Sequence, residues 1–107
     1  VATVTHESAE GLGLAVGAQA FALVKASSIV VVTEAEGAHF SARNRLDGTV
    51  ARIAAGAVND EVVIAVAAGV SIAATVTHGS SEALGLAVGA RATAIFKASS
   101  VIVGAPA

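Results

Sequence analysis

Residues 2–31 recur at residues 74–103 with a constant offset of 72 and no gap. ATVTHESAEGLGLAVGAQAFALVKASSIVV and ATVTHGSSEALGLAVGARATAIFKASSVIV agree at 21 of 30 positions. A period this long means one supersecondary unit used more than once. The unit spans 72 residues, so a chain of 107 residues holds about one and a half of them. Residues 40–72 have no counterpart before Val1. Two readings follow: a natural or engineered one-and-a-half-repeat protein, or part of a longer parent. The offset favours a parent running about 33 residues further upstream.

The composition narrows what the repeats can build. Apolar residues make up 55% of the chain but aromatics only 3%, with 27 Ala and 17 Val. Small side chains fill a core only if the backbone elements approach closely. The longest stretch free of charge and His is Val62 to Thr77, sixteen residues interrupted by Gly69, Ser71 and Thr75. A spanning helix needs about 20 mainly apolar residues, so no membrane segment is expected. Cysteine is absent, which removes disulfides, thiolate metal sites and Cys nucleophiles and fits a cytoplasmic protein. Net charge is −2, against the positive balance that phosphate neutralisation requires, so no nucleic-acid partner is expected. Three Phe with no Tyr or Trp also argue against a single-strand stacking platform.

Period and punctuation give the elements. Val1–Thr5 alternates and is β-branched, which reads as a strand. Ser8–Leu12 reads as a helical turn that Thr5 or Ser8 can cap. Strands follow at Gln19–Lys25 and Ser28–Thr33, and Glu34–His39 is a connector. Leu46–Ala54 is a strand with a bulge expected at Gly48. Gly56–Asn59 is a hairpin turn, Glu61–Ala67 a strand, Ala68–Gly69 a turn and Val70–Thr77 a strand. Ser80–Leu84 repeats the helical turn, and Arg91–Lys97 and Ser100–Val103 close the chain. Three strands, a helical turn and two strands suit an all-β, OB-like five-stranded barrel, with the N-terminal module only half present. The expected division is 1–33 as the second half of a first module, 34–39 as linker and 40–107 as a complete module.

The glycines form neither G-x-G-x-x-G after a strand nor a phosphate loop, and read as turns and bulges. His6 and His78 are repeat-equivalent. One His per unit without a second ligand is weak as a metal site, and packing or solvent exposure is the simpler reading. Asp60 and Glu61 point to opposite faces of a strand and make no acid/base pair; a solvated or intersubunit salt bridge accounts for them. No nucleophile–base pair or metal cluster appears, so no enzyme is expected.

SARNRLDGTV (41–50), GAVNDEVVI (56–64), TVTHGSSEALGL (75–86) and IFKASSVIV (95–103), in this order and spacing, resemble the Mop domain. That is the molybdate-binding module of molbindins, found also at the end of some molybdate-responsive regulators and transporter ATPases. Residues 40–103 match a full module and residues 1–32 the second half of another, as in di-Mop molbindins. The resemblance implies an OB-like fold, three-fold oligomers, and molybdate or tungstate at module interfaces, with no organic cofactor. It implies contacts from Ser41 and Arg43, from Thr77 and Ser80, and from Lys97, Ala98 and Ser99. The half-module offers Thr5, Ser8, Lys25, Ala26 and Ser27. A second type of anion site is implied near Ala57, Val58 and Asn59. The implied role is intracellular storage or homeostasis of the oxyanion; the alternative is a sensing module of a regulator or transporter ATPase.

The residues suit that ligand. A tetrahedral oxyanion has only acceptors and needs hydroxyl and N–H donors plus cations. Thr77 and Ser80 begin a helical turn with free N–H groups, Lys97 and Ser99 end a strand, and Ser41 and Arg43 precede one. Each has a plainer reading: Lys25 and Lys97 as edge-strand gatekeepers, Thr77 and Ser80 as caps, Arg43 as a surface charge.

Only 13% of residues are charged, and an unclosed half-module leaves apolar faces and strand edges needing partners. Self-association is therefore expected, and with the three-fold symmetry that the resemblance implies, light scattering at micromolar concentration should find a trimer or a multiple of three; a stable monomer would contradict this.

Overall fold

The computed structural model describes residues 1–106, and its chain order is α1 (His6–Gly11), β1 (Phe21–Val24), β2 (Val30–Val32), β3 (Asn44–Ala54), β4 (Asn59–Ala67), β5 (Val70–Thr77), α2 (His78–Ala83), β6 (Arg91–Phe96) and β7 (Val101–Gly104). Short 3-10 turns at Ala26–Ser28 and Ala98–Ser100 join β1 to β2 and β6 to β7. The protein is all-β apart from these turns and two helices of six residues each. Among the described residues no helix is long and apolar enough to cross a membrane.

The strands form a five-stranded sheet in the order β2-β6-β3-β4-β5 and a two-stranded sheet of β1 with β7, all neighbours antiparallel. The five-stranded sheet is open, because β2 is hydrogen bonded only to β6 and β5 only to β4. This corrects the expected closed barrel. The fifth strand also differs from expectation: β7 leaves the sheet that holds β6, and β2 takes the place beside it.

The two exchanged ladders are the same ladder used twice. Ala22 faces Val103 and Leu23 faces Ile102. Ala94 faces Val31 and Ile95 faces Val30, which is the same register moved by the 72-residue offset. The repeated sequence gives both pairs the same alternation and so the same register, although β6 is buried in the large sheet and β1 is largely exposed.

β3 pairs with β6 through Asn44–Thr49 and with β4 from Thr49 to Ala54. The β3–β4 register shifts between Val50 and Arg52, so Val50 and Ile53 turn inward while Arg52 stays in solvent. The bulge lies there and not at Gly48. Strand bulges arise where a chain must bend between two partners, and Val50 bonds outside the ladder to Ala90 O (2.8 Å) and Gly89 N (2.9 Å). Gly48 is required for a different reason, since a Cβ there would run into the Ala65 carbonyl and the Ile64 side chain.

Residues 1–5 form no strand, although their repeat equivalents are the end of β5. β5 exists because β4 supplies its hydrogen bonds from Asn59 to Ala67. Residues 1–5 have no such neighbour; Thr3 N bonds Ala98 O (3.0 Å) and Asn44 Nδ2 bonds Val1 O (2.7 Å).

The core lies on the inner face of the large sheet: Ile29, Val31, Val50, Val62, Ile64, Ala74, Ala92 and Ala94. Arg45 braces the connector, donating to Ala38 O (2.8 Å) and Ala35 O (2.9 Å). Phe21 lies across Gly104 in the small sheet and leaves no space for a Cβ there.

Ile64 is fully buried, so Ile64→Ala should cost about 2–5 kcal/mol and Ile64→Val about 1 kcal/mol. Gly48→Ala should destabilise although it removes no contact. Urea titration with an unchanged m-value checks all three.

Candidate functional site

Thr77 and Thr5 are helix N-caps. Each has extended backbone, and each Oγ1 accepts the N–H of the serine three residues on, at 3.1 Å in both copies. Each threonine hydroxyl also donates to that serine's Oγ, at 2.7 Å for Thr77–Ser80 and 2.8 Å for Thr5–Ser8. The caps are thus satisfied locally, and the serine hydroxyl keeps its own hydrogen to donate elsewhere. Thr77 and Ser80 line an open cleft of about 370 Å³ with Val76, Ala83, Leu84 and Ile29–Val31 of β2.

Lys25 and Lys97 immediately precede the two 3-10 turns. Their side chains and those of Ser27 and Ser99 are exposed, while Ala98 is buried and Ala26 partly so. The turn at Ala26–Ser28 packs against β5, which leads to Thr77. The turn at Ala98–Ser100 sits against residues 1–3, which lead to Thr5. Strand exchange therefore sets each K-A-S segment beside the other repeat's T-x-x-S segment within one chain.

Ser41 and Arg43 are exposed and precede β3. Asn44 faces Phe96, so Arg43 and Lys97 leave the same end of the β3–β6 ladder. Thr77 faces Asn59 and lies beyond Thr75, Glu61 and Ala54, at the far end of β3. Ser41 and Arg43 thus precede the start of β3 while Thr77 is level with its far end, and among the described residues no hydrogen bond joins Ser41 or Arg43 to Thr77 or Ser80.

The cations divide into two groups. Arg45 pairs with Asp47 (3.3 Å), Arg52 with Glu61 (2.9 Å) and Arg91 with Glu36 (4.0 Å). Among the described residues Lys25, Arg43 and Lys97 have no carboxylate partner. The three cations of the S-A-R-N and K-A-S-S segments are the three left free.

The Ala57–Val58–Asn59 turn is exposed and lies against α2, with His78 N donating to Val58 O (2.9 Å). Beside it is a constellation that the sequence reading missed. Asp60, only 3% exposed, accepts from Gly56 N (3.1 Å) and contacts His78 Nδ1 (3.0 Å). His78 Nε2 lies 2.6 Å from Glu82. Glu82 lies four residues on from His78, an i,i+4 spacing legible in both repeats; Asp60 lies 18 residues away and carries no local signal. Glu61 pairs with Arg52, as a solvated salt bridge within the chain.

The hydrogen bond from His78 holds the Asp60 carboxyl below its ordinary range, with Gly56 N–H and Ser81 adding to the effect against the cost of burial. Asp60, through that hydrogen bond and its charge, holds the His78 imidazole above its ordinary 6.5, with Glu82 assisting. No group of three or more His, Asp or Glu among the described residues is arranged to hold a metal ion.

Comparison with known proteins places this geometry. The TOBE domain family model matches residues 1–31 and 41–103. The chain is 46% identical over 103 residues to the molybdenum transport protein ModE of Herbaspirillum seropedicae, covering 96% of this chain and 38% of that protein. It is 46% identical over 105 residues to the molybdenum-pterin-binding protein MopA of Rhodobacter capsulatus, covering 98% of this chain and 40% of that one. The chain thus spans about two fifths of the length of these relatives. A crystal structure of the cytoplasmic molybdate-binding protein ModG with molybdate bound superposes with a TM-score of 0.93 at 48% identity, over 98% of this chain and 74% of that one.

The Asp60–His78 pair predicts a pH window. A lowered Asp60 pKa contributes stability above the ordinary 3.8, lost as pH falls through the lowered value. A raised His78 pKa contributes below 6.5, lost as pH rises through the raised value. The Tm gap between the wild type and His78→Ala should be widest between those limits, near about pH 5.5, and narrow toward about pH 9. Calorimetric scans across that range check it.

Proposed function

Because the chain belongs to the TOBE-domain family, of the molbindin type, we propose that it binds molybdate, or the isosteric dianion tungstate, for intracellular storage or homeostasis in the cytoplasm. The observation that carries this reading is the division of the cations. A dianion with four acceptor oxygens needs unpaired positive charge beside hydroxyl donors. Lys25, Arg43 and Lys97 are free of carboxylates among the described residues, and each lies within two residues of Ser27, Ser41 or Ser99.

The site is assembled between copies. Ser41, Arg43, Lys97, Ala98 and Ser99 gather at one end of the β3–β6 ladder and supply the cations. Thr77 and Ser80, flanked by Lys25, Ala26 and Ser27, lie at the other end of β3 and supply hydroxyl donors. A neighbouring chain adds its own end to this set, so three-fold self-association belongs to the proposed site. Thr5 and Ser8 form the equivalent donor set of the half-module, residues 1–33. The exposed Ala57–Asn59 turn offers backbone donors for a second type of site. Residues 40–106 with β2 in place of β7 make an OB-like module, and no catalytic role is assigned to any residue.

One observation favours a second reading. The chain covers 38% of its ModE relative, so the same module can serve as the sensing part of a regulator or transporter ATPase.

Calorimetric titration should show molybdate and tungstate binding and sulfate, a smaller dianion, failing. A charge-assisted hydrogen bond contributes about 1.5–3 kcal/mol, so Arg43→Ala should weaken binding about tenfold to a hundredfold. Arg52→Ala, whose guanidinium is already paired, should bind as the wild type. Equal affinities for the two variants would reject the site.

A further inference from the structure

The two T-H-x-S-x-x-E segments are near copies in sequence, but only one is fastened to the sheet. In the first, the His6 ring pairs with Glu10 (2.7 Å) and its side chain is 89% exposed. In the second, His78 is tied by its ring to the buried Asp60 and by its backbone N–H to Val58 O. The same Asp60 oxygen accepts the Gly56 N–H. One buried carboxylate thus fastens three things together: the start of β4, the Gly56–Asn59 turn, and the first residue of α2. Thr77, the cap, is the residue just before that fastening, and Ser80 is two residues after it.

We infer that Asp60, acting through His78, is a positioning residue for the Thr77–Ser80 end of the anion site. It rests on the oxyanion reading above and adds to it a residue that touches no ligand. A buried carboxylate holds its donors in place, because swinging any one away leaves it short of a partner in a dry site. The direction of the Ser80 hydroxyl follows from the first turn of α2. That turn is held through His78 and through Ser81, the one buried residue of the six-residue helix, whose side chain also hydrogen-bonds Asp60. The imidazole lies between two carboxylates, its Nδ1 3.0 Å from Asp60 and its Nε2 2.6 Å from Glu82. Asp60 and Glu82 are the charged groups that face it.

The test compares Asp60→Ala, Asp60→Asn and His78→Ala with His6→Ala as internal control. Two readouts are used: amide hydrogen exchange in the ligand-free protein, and molybdate affinity by calorimetry. Asp60→Ala should speed exchange at Gly56, His78 and Ser80 while Val62 and Ile64 in the core exchange as in the wild type. Its molybdate affinity should fall about tenfold. Asp60→Asn keeps an acceptor oxygen of the same shape and should recover most of both losses; His6→Ala should change neither. If Asp60→Ala does not fold, His78→Ala carries the test, because its side chain is 42% exposed and its removal leaves the core intact. Wild-type exchange at Gly56 and Ser80 in the Asp60 or His78 variants would overturn the inference. So would an Asp60→Asn protein as weak as Asp60→Ala. A wild-type protein that binds no molybdate, with exchange still faster in the variants, would reject the oxyanion reading and leave the fastening of α2 in place.

Discussion

The ladder of β2 on β6, repeated as β1 on β7, is the contact from which the rest of the molecule follows. Each repeat ends in a strand that its own sheet does not use. β2 crosses to cover the edge of β6, and Ile29 and Val31 carry its apolar side chains into the core of the large sheet. Without that strand β6 would expose its backbone groups and Ala94 would lose its cover. The exchange also decides where the chemistry lies. Each K-A-S turn is the hinge between the strand that stays and the strand that leaves. Crossing over therefore delivers Lys25 to the chain before Thr77 and Lys97 to the chain before Thr5.

The electrostatics follow from scarcity. With six Lys and Arg in the chain, each one used structurally is withdrawn from any ligand. Arg45 is committed to the connector, through two carbonyls and Asp47. Arg52 and Arg91 are committed to Glu61 and Glu36. Asp47 is held below its usual range by the Thr93 hydroxyl and by Arg45, and so stays ionised within the sheet. Among the described residues, one arginine and two lysines remain free, each within two residues of a serine. Arg43 brings a planar fork of donors, while each lysine brings a compact charge. A tetrahedral dianion uses both.

Local chemistry was legible in the residues and non-local pairing was not. The caps at Thr5 and Thr77 were readable because an N-cap joins residues three apart, whatever the rest of the chain does. The turn at Gly69 was readable because it requires positive φ, here 74°. The strand expected at Val1–Thr5 does not form, since alternation describes a face and supplies no partner. The bulge moved from Gly48 to Val50–Arg52 because the cause is a change of partner along β3, which no residue of β3 announces. Asp60, beside Glu61 next to a turn, read as a member of a solvated or intersubunit salt bridge. It is buried because a histidine 18 residues away folds back over it.

The sequence by itself determined the all-β class, the 72-residue unit, the capped helical turns and the resemblance to molybdate-binding modules. Each of these is written in spacing and residue type. Tertiary structure decided which strand completes which sheet, because a ladder accepts any segment of matching face and register, and the repeat offers two. It decided that Ser41 and Arg43 stand at the start of β3 while Thr77 and Ser80 stand beyond its end. It decided which three cations stay free, because pairing depends on where carboxylates come to rest. Those outcomes depend on distances between segments far apart in the chain, and residue identity encodes such distances only through the fold.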